Sequence, residues 1–108
     1  MKRNEVTVEA LKRVGYKAMV EFTSWNSHTV EECNARQSAE LFDLVAKTAR
    51  DGGNVKIRRQ HVRGTVIAYV GRTTHQSRGA EWHYFLQRQM TEAEIMEESI
   101  RTGVWVTQ

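Results

Sequence analysis

The stretch Asn54–Arg72, NVKIRRQHVRGTVIAYVGR, carries two runs of β-forming residues, Val55–Val62 and Thr65–Val70, on either side of Arg63-Gly64. This constrains the chain more than any other feature does. Two strands joined so closely must pair antiparallel with each other, and the rest of a sheet has to be built outward from them. A two-residue loop with Gly in second place suits a tight primed turn. With that loop, Val62 faces Thr65. One side of the hairpin then carries Val55, Ile57, Arg59, His61, Val66, Ala68 and Val70. The other carries Lys56, Arg58, Gln60, Val62, Thr65, Ile67 and Tyr69. The first side is the more apolar along the second strand and is expected to meet the core. A slip of one residue would exchange the two sides.

Around the hairpin the chain alternates helical and extended signals. Thr7 can cap a short helix, with Val6 and Leu11 as a hydrophobic staple, packing through Val8, Leu11 and Val14, and a stop at Gly15. Tyr16–Trp25 alternates, with Ala18, Val20 and Phe22 against Lys17, Met19, Glu21 and Thr23, as a half-buried strand does. A turn at Asn26–His28 leads to Thr29 and Glu32, which have the spacing of a capping box. The spacing predicts a long helix from Val30 to about Arg50, with Ala35, Ala39, Phe42, Val45, Ala46 and Ala49 on its buried stripe and Leu41 and Leu44 at the borders. Asp51-Gly52-Gly53 ends it. Gly71–Ala80 has no large apolar residue and is expected to be an exposed, mobile loop. Glu81–Gln89 reads as a strand, with Trp82, Tyr84 and Leu86 against His83, Phe85 and Gln87. Thr91 and Glu94 form a second capping box, Met90 and Ile95 a staple, and the helix runs to about Arg101 with Ala93, Met96 and Ile100 inward. Gly103 stops it before a short closing strand, Val104–Val106.

The expected order is α-β-α-β-β-β-α-β. This is an α+β domain spanning residues 1–108, with a mainly antiparallel sheet of about five strands, two main helices and a short N-terminal one. Without the first helix and the Trp82 strand, the order is the split βαβ of ferredoxin-like folds.

Net charge is only +3, but it is unevenly spread. From Gly52 to Ala80 there is no acidic residue, against six Lys and Arg, while residues 91–108 hold four Glu and one Arg. A positive potential over the hairpin and the segment after it follows. The alternative is a solvated edge, on which Lys and Arg discourage edge-to-edge pairing. No apolar run approaches the roughly 18 residues of a membrane span, and no signal-peptide pattern is present, so the expected location is cytoplasmic, without membrane contact. The one cysteine, Cys33, excludes an internal disulfide and is expected to be an ordinary buried or half-buried thiol.

Candidate chemistry is sparse. Cys33, His28, His61, His75 and His83 lack zinc spacing, so neither a metal nor another cofactor is expected. The strand signature of the RNA-recognition motif fails here. In Arg63–Val70, RGTVIAYV, only Arg63 and Gly64 match, and Thr65 and Ile67 stand where that motif has aromatic rings. Arg58–Val70, RRQHVRGTVIAYV, resembles the hairpin of bacterial ribonuclease toxins of the toxin–antitoxin class, although those toxins usually open with two helices and this chain inserts a strand. The resemblance implies metal-free ribonuclease chemistry, for which His61, His83, Arg58, Arg59 and Tyr84 are of the right types. Trp25, Trp82 and Trp105 are expected in or at the core, Trp105 being the one placed to anchor a protein contact.

The reading that follows is a non-enzymatic binding domain whose basic hairpin contacts a polyanion, most simply nucleic acid. The expected contact residues are Lys56, Arg58, Arg59, Gln60, Arg63, Tyr69, Arg72, His75 and Arg78. The second reading is a protein-binding inhibitor or adaptor of the kind phages and mobile elements encode. The acidic last helix and the basic hairpin could also meet in a homodimer. The toxin-type ribonuclease is the third.

Overall fold

The computed structural model describes residues 6–61, 63–71 and 74–104. These form α1 (Val8–Arg13), β1 (Lys17–Ser24), β2 (Ser27–Glu32), α2 (Ala35–Arg50), β3 (Lys56–Gln60), β4 (Thr65–Tyr69), β5 (Thr74–Ser77), β6 (Ala80–Gln89) and α3 (Glu92–Thr102). The expected α+β class holds, and the six strands form one antiparallel sheet. Across the sheet the order is β2-β1-β6-β4-β3, with β5 pairing the first half of β6. The central strand is therefore β6, which pairs with β1, β4 and β5.

All three helices lie on one face. Ala18 of β1, Leu86 of β6 and Ala68 of β4 are cross-strand neighbours and pack with Leu41, Phe42, Val45 and Ala46 of α2 and Leu11 of α1. Farther along the same face, Val66 packs with Met90 and Ile95 of α3. Alternation along β1 and β6 predicted these faces correctly. The buried stripe of α2 is narrower than expected and displaced. Leu41 is inside, whereas Ala35 and Ala39 are exposed. In α1, Ala10 and Leu11 are buried, but Val14 is 52% exposed rather than packed.

The start of α2 corrects the sequence reading. Thr29 and Glu32 do not cap a helix; they lie in β2, where Thr29 pairs with Phe22 and Glu32 with Met19. The chain turns at Trp25-Asn26, where the Ser24 hydroxyl bonds Asn26 Oδ1 at 3.0 Å. Extended pairing to β1 satisfies the backbone that the expected helix would have used, and Cys33 N–H completes it by donating to Ala18 C=O at 3.0 Å. Asn34 then caps α2. Its side chain accepts from Gln37 N–H at 2.8 Å, and the Gln37 side chain returns to Asn34 N–H. Trp25, expected at the core, is 93% exposed at this turn.

The hairpin forms with a different register. Gln60 pairs with Thr65, so the loop is the four residues 61–64 rather than Arg63-Gly64 alone. Gly64, at φ 65°, donates to Gln60 C=O at 2.9 Å, and its carbonyl accepts from Met90 N–H at 2.9 Å. It thus closes a wider turn and ties it to the end of β6. The register moves by two residues, which is the period of the pleat, so the residues of β3 and β4 keep the sides they were expected to occupy. Val62 lies outside the described residues.

The expected loop Gly71–Ala80 contains β5. Arg78 and Gly79, at φ 48° and 79°, make a tight turn back into β6. The absence of large side chains suggested a loop, but β5 is held by its ladder to β6 rather than by packing. The last helix starts as expected, with Thr91 capping and Glu94 closing the box. Its orientation is reversed, however. Ile95, Glu98 and Ser99 face inward, while Met96 and Ile100 are 53% and 76% exposed. Val104 is exposed, and the rest of the expected closing strand, with Trp105 and Val106, lies outside the described residues.

Three substitutions test this arrangement. Phe42→Ala removes a side chain that is 2% exposed and should cost about 3–5 kcal/mol in chemical denaturation. Asn34→Ala should cost about 0.5–2 kcal/mol. Thr29→Ala, on an exposed strand position, should cost less than about 0.5 kcal/mol. The reverse ranking would restore the longer helix.

Candidate nucleic-acid interface

The face of the sheet away from the helices is fixed by strand register. It carries Lys56, Arg58 and Gln60 from β3, Thr65, Ile67 and Tyr69 from β4, His83, Phe85 and Gln87 from β6, and Lys17, Met19 and Glu21 from β1. No described helix packs on it. Its centre is apolar and closed, with Thr65, Ile67 and Phe85 at most 4% exposed. Above this floor stands a ring cluster. Tyr69 meets His83 edge-on, with centroids 5.1 Å apart and planes at 87°. His83 lies 5.4 Å from Phe85. Lys56 pairs with Tyr69 across the ladder, its Nζ 5.9 Å from the ring centroid.

The charges on this face are sorted by strand. Lys56 and Arg58 are exposed and have no carboxylate partner among the described residues. The carboxylates lie nearer the opposite edge and are engaged there. Glu21 contacts His28 at 2.8 Å, Glu32 contacts Lys17 at 3.5 Å, and Glu81 accepts from the Gln76 amide at 2.7 Å. Burial pushes the His83 imidazole below its ordinary pKa. Glu21 and Glu81 oppose that shift and Arg58 adds to it.

The expected contact residues are only partly brought together. Lys56, Arg58, Gln60 and Tyr69 share this face, and Arg63 is exposed in the loop at its corner. Gln60 is partly committed, since its Oε1 accepts the Thr65 hydroxyl at 2.8 Å across the neck of the hairpin. Arg78 is exposed at the β5–β6 turn, and His75 sits on the helix side beside Trp82, with ring centroids 5.7 Å apart. Arg72 lies outside the described residues. His83, Phe85 and Gln87 join the site without having been singled out for it. Alternation had put them on one side of their strand, but nothing local to the sequence says that this strand lies beside the hairpin.

Arg59 is placed elsewhere. It points to the helix side, where Nη2 is 3.0 Å from Glu97 and 3.6 Å from Glu94, and Nη1 is 3.8 Å from Glu98. Arg88, its neighbour two strands away, grips Glu94 with both guanidinium nitrogens at 2.6 and 2.9 Å. Glu98, with 3% of its side chain exposed, also bonds Arg101. The acidic helix and the basic hairpin therefore meet within one chain. The residues considered for ribonuclease chemistry are separated by the same geometry. His83 and Arg58 are on the open face, Tyr84 packs against the core, and Arg59 is tied to α3. Among the described residues, no group of three or more His, Cys, Asp or Glu could hold a metal ion, and no helix is long and apolar enough to cross a membrane.

No protein family, curated protein or solved structure matches this chain.

The α3 clamp has a pH signature. Hydrogen bonds from Arg88 are the main cause that holds the Glu94 carboxyl down at about 2, against 4.5 normally, with burial opposing. A carboxyl depressed by folding adds stability above its unfolded pKa and loses it as pH falls toward the folded value. Melting temperature should therefore fall between about pH 5 and pH 2. Glu94→Gln should flatten that slope and cost about 1–3 kcal/mol at neutral pH. An unchanged acid profile in Glu94→Gln would show that the pair does not carry the effect.

Proposed function

We propose that this chain is a non-enzymatic binding domain that takes a polyanion, most simply nucleic acid, on the β3–β4 side of its open sheet face. One observation carries the reading. Among the described residues, Lys56 and Arg58 stand without carboxylate partners on the same face as Tyr69, whereas Arg59, the next residue along the chain, is compensated by three glutamates on the other side. The pleat thus sorts the three cations of β3 into one that builds the fold and two that remain for a ligand. Phosphates supply most of the affinity for such a patch, so binding is weakly sequence-specific and falls steeply with salt. Arg63 at the loop extends the patch along the hairpin.

The reading as a protein-binding inhibitor or adaptor draws on other residues. The outward Met96 and Ile100 of α3 and the exposed Trp25 are the apolar side chains a protein partner would cover. The two readings separate in one mutant pair.

Lys56→Glu with Arg58→Glu should abolish binding to nucleic acid and leave thermal melting nearly unchanged, since both side chains are exposed. In the wild type, log affinity should fall against log salt with a slope of about −2 to −4, for roughly three or four phosphates. Undiminished binding by the double mutant, or a flat salt response, would remove this face from consideration. A protein partner held equally well by the double mutant and lost in Met96→Asp with Ile100→Asp would favour the second reading.

A further inference from the structure

We propose that the ligand of this face is a single strand of nucleic acid, with a base stacked on the Tyr69 ring beside His83 and its backbone following β3 past Lys56 and Arg58 toward Arg63. This rests on the polyanion reading above and narrows it.

The first argument is the width of the cationic strip. Among the described residues, the unpaired cations of this face occur on β3, whereas on β1 and β2 the charged groups are engaged with one another, Lys17 with Glu32 and Glu21 with His28. Adjacent strands are about 4.8 Å apart, so β3 and β1 are separated by about 14 Å. A duplex has a major groove alone about 12 Å wide. Laid across this sheet, it would carry one row of phosphates over Lys56 and Arg58 and the other over β1 and β2, where Lys17 is already paired with Glu32 and Glu21 with His28. A single strand has one row of phosphates and can stay on the favourable side.

The second argument is the rings. A bare electrostatic patch needs none, yet Tyr69 and His83 stand half-exposed next to Lys56, on a floor formed by the buried Ile67 and Phe85. Single-strand binders combine such stacking surfaces with a cationic track, and every base has a face to stack. Burial favours the uncharged form of His83, which keeps that ring an aromatic surface and leaves the charge to Lys56 and Arg58. Lys56 now covers the Tyr69 ring from across the ladder. On binding it can swing to a phosphate while a base takes its place. The rings lie away from Thr65 and Ile67, where the RNA-recognition motif has its own. Those two positions are buried here and serve as floor.

The test is fluorescence anisotropy on the full chain, with unstructured single-stranded RNA and DNA of about 12 nucleotides, within the span known for such sites. The comparison ligands are a duplex of the same length and heparin, at fixed salt. Single strands should bind more tightly than duplex. Tyr69→Ala should weaken single-strand binding roughly ten- to hundredfold, Tyr69→Phe by less than about threefold, and neither should change binding to heparin. Circular dichroism melting verifies that each variant folds, and Tyr69→Phe keeps the ring if Tyr69→Ala does not. Duplex binding as tight as single-strand binding, or full affinity in Tyr69→Ala, would overturn the single-strand inference and leave the polyanion reading standing. Failure of all four ligands to bind would remove both. A dimer in light scattering that Tyr69→Ala dissociates would also overturn the inference, by assigning the face to a second copy of the chain.

Discussion

Every described strand reaches its place through β6. Its ten residues pair on one side with β1 and on the other with β4 and β5, so its ladder fixes the register of the five other strands, β1, β4 and β5 directly and β2 and β3 at one remove. Leu86 at its centre is fully buried between Ala18 and Ala68. Small residues on both sides let α2 descend onto the sheet there. Because side chains alternate, the choice that turns Leu86 and Tyr84 toward the helices also turns His83 and Phe85 outward. The candidate site is thus the reverse side of the core, set by the same pleat.

Electrostatics then divides the surface. Arg59 and Arg88 reach up to α3, and Lys56 and Arg58 face away from it. Four glutamates lie late in the chain, in α3, and three of them, Glu94, Glu97 and Glu98, neutralise only one side of the hairpin. The acid-free run from Gly52 to Ala80 therefore overstated the free positive charge, since one of its arginines is consumed by the fold.

Local signals in the sequence were dependable where a single element decided them. The alternation of β1 and β6, the caps at Thr7 and Thr91 and the stops at Gly15 and Gly103 are all found. What the sequence hid was set by neighbours distant in the chain. Thr29 and Glu32 have ideal spacing for a helix start, but Val30 and its flanks gained a ladder with β1 instead. β5 has no apolar pattern because its partner strand, not a core, holds it. The helix-wheel reading of α3 failed for a related reason: Arg59 and Arg88 lie beneath it, so glutamates rather than Met96 and Ile100 were drawn inward. Half of the candidate site, Lys56, Arg58, Gln60 and Tyr69, was legible in the hairpin. His83 and Phe85 were not, because adjacency of β6 to β4 is a property of the whole sheet.

The charge-held seat of α3 gives the two larger helices different temperature responses. Docking of α2 removes apolar surface from water, and the release of such surface carries a large heat-capacity increment, so that attachment weakens on cooling. Among the described residues, the apolar cluster beneath α3 is Ile95 with Val66 and Met90, and guanidinium–carboxylate contacts from Arg59 and Arg88 lie beside it. Exposure of polar surface contributes to heat capacity with the opposite sign. Detachment of α3 should therefore show a small heat-capacity change, and hydrogen exchange measured over a range of temperatures should find its protection holding in the cold while that of α2 declines.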